Sequence, residues 1–185
     1  MSEKRMFIKQ FWKQKRMVGA ISASSRFLAE KMLSDIDFEN SKVIVELGPG
    51  TGVFTDLIIK RMRKDAVLFA FELNDRFYQQ LSARMEDARV HLVNDTAEKV
   101  HEYLLNAGFN KADVIISSLP LAVFPKDIRT SILNTSRESL NEDGLYIQFQ
   151  YSLQAKKELE RVFSKVGIKW TAFNLPPAFV YTCRI

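Results

Sequence analysis

The sequence predicts an α/β fold: a doubly wound, mostly parallel sheet with an antiparallel C-terminal hairpin and an N-terminal amphipathic helix. Three observations predict it. From Ser41 onward, β-rich apolar runs alternate with helix-period segments, the pattern of parallel strands joined by crossover helices. The first of these runs feeds directly into a glycine-rich turn and then a helix, which is where doubly wound sheets bind ligands. The last two runs are joined by too few residues for a parallel crossover, so they pair antiparallel.

Strands are expected at 42–47, 66–73, 90–94, 113–118 and 145–151, because each is a short run of mainly Val, Ile, Leu, Phe or Ala. The segments 53–63, 75–85, 98–107, 125–140 and 154–166 have the apolar spacing and length of helices. The turn-forming cluster Asn141-Glu-Asp-Gly144 announces the fifth strand, and Gly167 is expected to end the last helix. After it, 169–173 and 179–183 read as the hairpin strands, joined around Asn174-Leu-Pro-Pro177. There is no internal repeat and no linker. The expected organisation is an N-terminal basic extension, 1–40, and one domain, 41–185.

Composition narrows the function classes. The 185 residues are 46% hydrophobic and 26% charged, which excludes a collagenous or low-complexity chain. One cysteine cannot form an internal disulfide, and two histidines far from it make no zinc-ligand spacing, so no metal is expected. No apolar run approaches the ~18 to 20 residues that cross a bilayer, and no secretory signal core is seen. A cytoplasmic setting is expected. The net charge is +5, but residues 1–26 hold seven Lys/Arg against Glu3 alone, so the basic excess belongs to an arm. On a helical wheel Phe7, Ile8, Phe11 and Trp12 fall within about 140°, with Lys9, Lys13 and Arg16 at or beyond one edge. That is the pattern of a helix lying in an anionic membrane interface. A helix packed on the domain, or a nucleic-acid arm, are the alternatives.

The chemistry is carried by Glu46-Leu-Gly-Pro-Gly-Thr-Gly52. Gly48, Gly50 and Gly52, with Thr51 between the last two, let the backbone approach a ligand at the start of a helix. The Gly-x-Gly-x-Gly spacing is not the Gly-x-Gly-x-x-Gly of pyrophosphate-binding folds. Glu72, followed by Leu73, stands at the end of the second strand, where a carboxylate can hold the two hydroxyls of a ribose. Asp95-Thr96 ends the third strand and either accepts from an adenine amine or caps the next helix. His91 and His101 are read as structural.

Together these residues resemble class I S-adenosylmethionine-dependent methyltransferases, which have a Rossmann-like fold. The resemblance implies that Glu46, Gly48, Gly50 and Gly52 cradle the methionine part of S-adenosylmethionine, Glu72 the ribose, and Asp95 and Thr96 the adenine, with Thr51 and Leu73 also among the cofactor-binding residues. After the fourth strand comes Ser117-Ser-Leu-Pro-Leu121. In relatives that methylate amines this segment reads Asn/Asp-Pro-Pro-aromatic or Asn-Leu-Pro-Tyr: an amide and a carbonyl hold the target nitrogen, and the ring stacks on a base. Here Ser117 is taken to replace the amide and Leu121 the ring, which speaks against a nucleic-acid base.

Val18-Gly-Ala-Ile-Ser-Ala-Ser-Ser25, Phe149-Gln-Tyr151 and Asn174-Leu-Pro-Pro-Ala-Phe-Val-Tyr181 narrow the resemblance to bacterial phospholipid N-methyltransferases. That group methylates phosphatidylethanolamine toward phosphatidylcholine. The resemblance places Ser24 and Ser25 over the cofactor and points to Ser117, Leu119, Tyr151 and Tyr181 as the catalytic set. The two tyrosines either steady the lipid ammonium or belong to the core. The expected activity is phosphatidylethanolamine N-methylation at a membrane surface. An adenine N6-methyltransferase acting on ribosomal RNA and a non-catalytic membrane-attached module are the alternatives.

Overall fold

The computed structural model describes residues 26–171 and 177–185. Five strands are parallel: β1 (Val43–Leu47), β2 (Val67–Phe71), β3 (Val90–Val93), β4 (Ala112–Ser117) and β5 (Leu140–Gln150). β6 (Lys165–Thr171) and β7 (Ala178–Arg184) close the sheet, β7 running antiparallel to both β5 and β6. The order is β3-β2-β1-β4-β5-β7-β6. β1 and β2 are buried at every position because helices cover both faces of a central parallel sheet, which is why their sequences are unbroken apolar runs apart from Glu46.

Among the described residues the helices are α1 (Arg26–Leu33), α2 (Val53–Arg61), α3 (Asp75–Ser82), α4 (Val100–Asn106), α5 (Lys126–Glu138) and α6 (Lys156–Val162). One core joins α4, α5 and α6 to alternate strand residues such as Val45, Phe69, Ile115 and Tyr146. The other joins α1 and α2 to Ile44, Leu68, Ile116 and Ile147. The period-2 alternation of each strand therefore deals its side chains to two separate hydrophobic layers.

Three expectations are corrected. The fifth strand starts at Leu140, not after the turn cluster: Leu140 pairs with Ala112 and Leu145 with Val114, so residues 141–144 bulge out of register inside the strand. The last helix ends at Val162, and Gly167 lies within β6, paired with Thr182. β6 is an edge strand exposed along most of its length, so its sequence shows no burial alternation; the ladder to β7 selects its conformation. Finally, the domain begins before residue 41. Leu28, Ala29, Met32 and Leu33 of α1 are at most 1% exposed and belong to the second core. The arm at 1–16 lies outside the described residues, as does the turn at 174–176.

Candidate active site

The sheet's carboxyl edge gathers the residues singled out above. β1 ends at Leu47, and Gly48 turns the chain with φ 76°, its N–H donating to the Phe71 carbonyl at 2.9 Å. A Cβ at Gly48 would stand 2.9 Å from Leu119 Cδ2, so this position needs a glycine for space as well as for backbone angle. Gly52, at φ 87°, caps α2, and a Cβ there would overlap the Arg84 guanidinium. Arg84 laces the turn by donating to the Thr51 carbonyl at 3.0 Å and to Asp56 at 2.8 Å.

Two carboxyls stand beneath this turn. Glu46 is wholly buried; its Oε2 accepts from the Thr55 hydroxyl at 2.7 Å, and its Oε1 has no hydrogen-bond partner. Burial pushes its pKa up to about 8, against the pull of Thr55, and the negative charges of Glu72 and Asp56 add to the rise. Glu72 accepts from Gly50 N at 2.9 Å on Oε2 and from Asn74 N at 2.7 Å on Oε1. Burial raises it to about 7 despite these backbone donors. Each of its oxygens accepts one bond in these two contacts and has a second lone pair, which is what a vicinal diol requires.

Asp95 accepts from Thr96 N at 2.8 Å and Tyr103 OH at 3.3 Å, and pairs with Lys99 at 3.2 Å. Thr96 caps the short 3-10 turn Ala97–Lys99 through Glu98 N, so the capping role falls to the threonine rather than the acid. One pocket brings Gly48, Glu72, Leu73, Asp95, Thr96 and Leu119 together, adding Phe71, Ala97, Phe124 and Ile132. Those four carry no motif and read in the sequence only as core. A larger cavity, about 630 Å³, opens at the opposite edge of the sheet beside Asp35, Asp113 and Arg184, and holds none of the expected residues.

The segment after β4 departs from expectation. Ser117 is fully buried, its Oγ accepting from Leu119 N at 3.4 Å. With Leu121 in the place of the ring, the four-residue pattern instead puts Ser118 in the place of the amide, and the Ser118 hydroxyl is buried with no partner. The Leu119 carbonyl accepts from Gln148 Nε2 at 2.9 Å and from Gln150 Nε2 at 3.0 Å. Gln148 also accepts from Tyr146 OH at 2.8 Å. Sequence reasoning missed Gln148 and quoted Gln150 only within Phe149-Gln-Tyr151, with no role; their spacing of two, which puts them on one face of β5, was the signal available.

The tyrosines divide. Tyr151 is 37% exposed at the end of β5, its ring edge-on to Phe149 at 5.6 Å. Tyr181 is wholly buried in the first core, its hydroxyl donating to the Ser152 carbonyl at 3.2 Å, so it is a packing residue rather than a group facing the pocket. His91 stacks on Phe69 at 4.7 Å. Ser24 and Ser25 lie outside the described residues.

The model of a family described as "Ribosomal RNA adenine dimethylase" matches residues 22–123, more than half of the chain. The chain belongs to the ribosomal RNA adenine dimethylase family. An ornithine lipid N-methyltransferase of Singulisphaera acidiphila is 28% identical over 181 residues, 97% of this chain and 94% of that one. Ribosomal RNA small subunit methyltransferase A of Ureaplasma parvum is 25% identical over 177 residues; this chain spans 92% of itself in the match but only 61% of the relative. Among solved structures, magnesium protoporphyrin IX methyltransferase of Synechocystis with bound S-adenosylmethionine superposes with TM-score 0.65 at 10% identity, covering 100% of this chain and 99% of that one. The N-methyltransferase NodS of Bradyrhizobium japonicum gives 0.66 at 10% identity, covering 89% and 96%. These two likenesses establish the fold.

This member of the dimethylase family is therefore an S-adenosylmethionine-dependent methyltransferase. Its residues fit that cofactor. The Glu46 Oε1 has no donor, a place a methionine ammonium would fit, and Gly48 and Glu72 line one pocket.

Proposed function

We propose that this chain methylates the amine of an aminolipid head group, with phosphatidylethanolamine and its methylated products as the substrates expected first. The observation that carries the reading is the segment 117–121, which offers neither a side-chain amide nor a ring: Leu121 is a buried aliphatic where a flipped base would need a stacking partner. The ornithine lipid N-methyltransferase, matched along nearly its whole length, supports it. When bound, S-adenosylmethionine would supply an electrophilic sulfonium methyl open to in-line attack by the amine lone pair, with S-adenosylhomocysteine as the leaving group. On this reading Glu46 holds the methionine ammonium, Glu72 the ribose, and the Ser118 hydroxyl accepts from the amine. The ammonium proton leaves to water or to the lipid phosphate before attack.

Methylation of ribosomal RNA adenine is the second reading, favoured by the family match and by the Ureaplasma relative. Tritiated-methyl transfer to phosphatidylethanolamine vesicles and to stripped ribosomal RNA decides between them: label in the lipid supports the first, label only in the RNA replaces it with the second. The same proposal gives the arm a membrane partner, through Phe7, Ile8, Phe11, Trp12 and the surrounding cations. Removing residues 1–16 is expected to abolish most sedimentation with anionic vesicles and to leave cofactor affinity unchanged; equal sedimentation of both forms refutes it.

A further inference from the structure

We propose that the carboxyl edge of the sheet is itself a membrane-docking face, on which Val123, Leu153 and Trp170 enter an anionic bilayer interface and bring the pocket mouth to head-group level. This rests on the aminolipid reading above and is separate from the arm.

Three exposed large apolar side chains stand at the carboxyl end of the sheet: Val123 is 38% exposed, Leu153 49% and Trp170 59%. Val123 ends the 3-10 turn Leu121–Val123 that follows β4, and its neighbour Phe124 lines the pocket. Leu153 opens the 3-10 turn Leu153–Ala155 that follows β5, and the two turns touch. Trp170 pairs with Phe179, and Phe179 with Gln150, so Trp170 stands two strands across from the end of β5, roughly 10 Å at the usual strand spacing. Residues paired across an antiparallel ladder share a face, and Phe179 packs on the first core, so Trp170 lies on that side of the sheet. Leu73, Leu119, Phe124 and Ile132, which line the pocket, belong to the same core. The three side chains and the pocket therefore share one side and one end of the sheet.

A lipid amine stays within head-group reach of its bilayer, so the mouth of a site that serves it has to meet the surface. A tryptophan exposed beside aliphatic side chains has the chemistry of an interface anchor, since its ring is apolar and its N–H donates. Charge selects the same orientation. Lys126 and Lys157 are exposed at this end, beside Asp127 and a Glu158 that Arg129 pairs at 3.0 Å. The opposite edge presents Asp35, Asp37, Asp113, Glu142 and Asp143, with Arg184 as the cation among them. An anionic surface is repelled by that edge and tolerated by the carboxyl end.

The chain has two tryptophans, Trp12 and Trp170, so Trp12→Phe in the full chain leaves Trp170 as the sole indole. Its emission is recorded with vesicles of phosphatidylglycerol and phosphatidylethanolamine, plain or brominated in the acyl chains. A blue shift with the plain vesicles and strong quenching by the brominated ones are expected. Emission that brominated lipid leaves unchanged overturns the docking face, whether or not the arm still sediments the protein. A blue shift that grows with protein concentration in the absence of vesicles makes a second copy the occupant and also overturns it. So does a red shift without vesicles on removal of residues 1–16, which makes the arm the cover. The second measurement is methyl transfer to the plain vesicles by the double variant Leu153→Ser, Trp170→Ser. Its KM for vesicle lipid is expected to rise roughly tenfold, the scale of one buried apolar side chain, with kcat at saturation and cofactor affinity within about twofold of the unaltered protein. An unchanged KM, or a fall in kcat in its place, overturns the proposal while leaving the aminolipid reading intact. No transfer by the unaltered protein overturns that reading, and the quenching then decides the docking face by itself.

Discussion

Glu46→Gln in the ligand-free protein isolates the electrostatic cost of the glycine turn. The Glu46 carboxyl is wholly buried, one oxygen held by Thr55 and the other unbonded, and its pKa stands at about 8 against an ordinary 4.5. A carboxyl that binds its proton more tightly folded than unfolded stabilises most below the unfolded value; that stability is lost as pH rises through the folded value. Integrating between pH 5.5 and 8 with these two values gives a loss of about 3 kcal/mol from this group. Glutamine keeps the shape and the neutral acceptor but does not ionise. The variant is therefore expected to gain about 3 kcal/mol on the unaltered protein across that interval, roughly 6 to 12 °C in Tm for a chain of this size. Paired calorimetric scans at the two pH values, at one ionic strength, measure the difference. If both proteins lose the same Tm between them, Glu46 is not carrying a suppressed charge, and the assignment of its free oxygen to a cationic group fails with it. The ligand side runs the other way. A methionine ammonium beside Glu46 favours the ionised carboxylate, so cofactor binding should expel a proton near neutral pH, and the variant should lose both that proton and about 1.5 to 3 kcal/mol of affinity.

Other perturbations sort the remaining residues. Glu72→Ala removes the acceptor for Gly50 N and Asn74 N and is expected to weaken cofactor binding by about 1 to 3 kcal/mol, read by calorimetry, in a protein that still folds. Gly48→Ala forces a side chain into the left-handed region and against Leu119; a cost of about 1 to 2 kcal/mol in stability from the backbone alone should appear in denaturant melts, and cofactor binding should fall with it. Tyr181→Phe should cost about 1 kcal/mol of stability through the lost bond to the Ser152 carbonyl and leave turnover near that of the unaltered protein. Tyr151→Phe tests the opposite case: if the exposed hydroxyl at the end of β5 takes part, turnover falls without loss of stability, and equal turnover removes it from the site.

The parts of the site legible in the sequence are those that local geometry forces. A turn that must leave a strand, pass under a ligand and start a helix needs glycines at fixed spacing, and the acids at the next two strand ends follow from the sheet's own repeat. The fold was legible for the same reason, since five buried parallel strands leave unbroken apolar runs. What was not legible depends on pairing across the chain. Gln148 and Gln150 meet Leu119 across 29 and 31 residues, and nothing near them in sequence says that a carbonyl waits there. Ser117 and Ser118 differ only in which way the chain turns after β4, and the pleat sends the first into the core with Tyr146. Tyr181 was equally ambiguous until its pairing with Gln148 in β5 placed it inside the sheet's cover. β6 escaped because an exposed edge strand imposes no periodicity on its residues.

The side chains hydrogen-bonded to the Leu119 backbone are uncharged: Ser117, Gln148 and Gln150, with Tyr146 beside Gln148 pushed by burial far above the ordinary tyrosine range and so held protonated. Buried carboxyls stand at the ends of β1, β2 and β3, and two of them, Glu72 and Asp95, line one pocket with Leu119. That division has a chemical consequence for an aliphatic amine. A carboxylate beside the nitrogen would raise its pKa and keep it as ammonium, which has no lone pair to attack with. Neutral amides and a hydroxyl offer no charge for an ammonium to pair with. The family match ends at residue 123, so it takes in the glycine turn, the strand-end acids and the segment 117–121 and stops before β5.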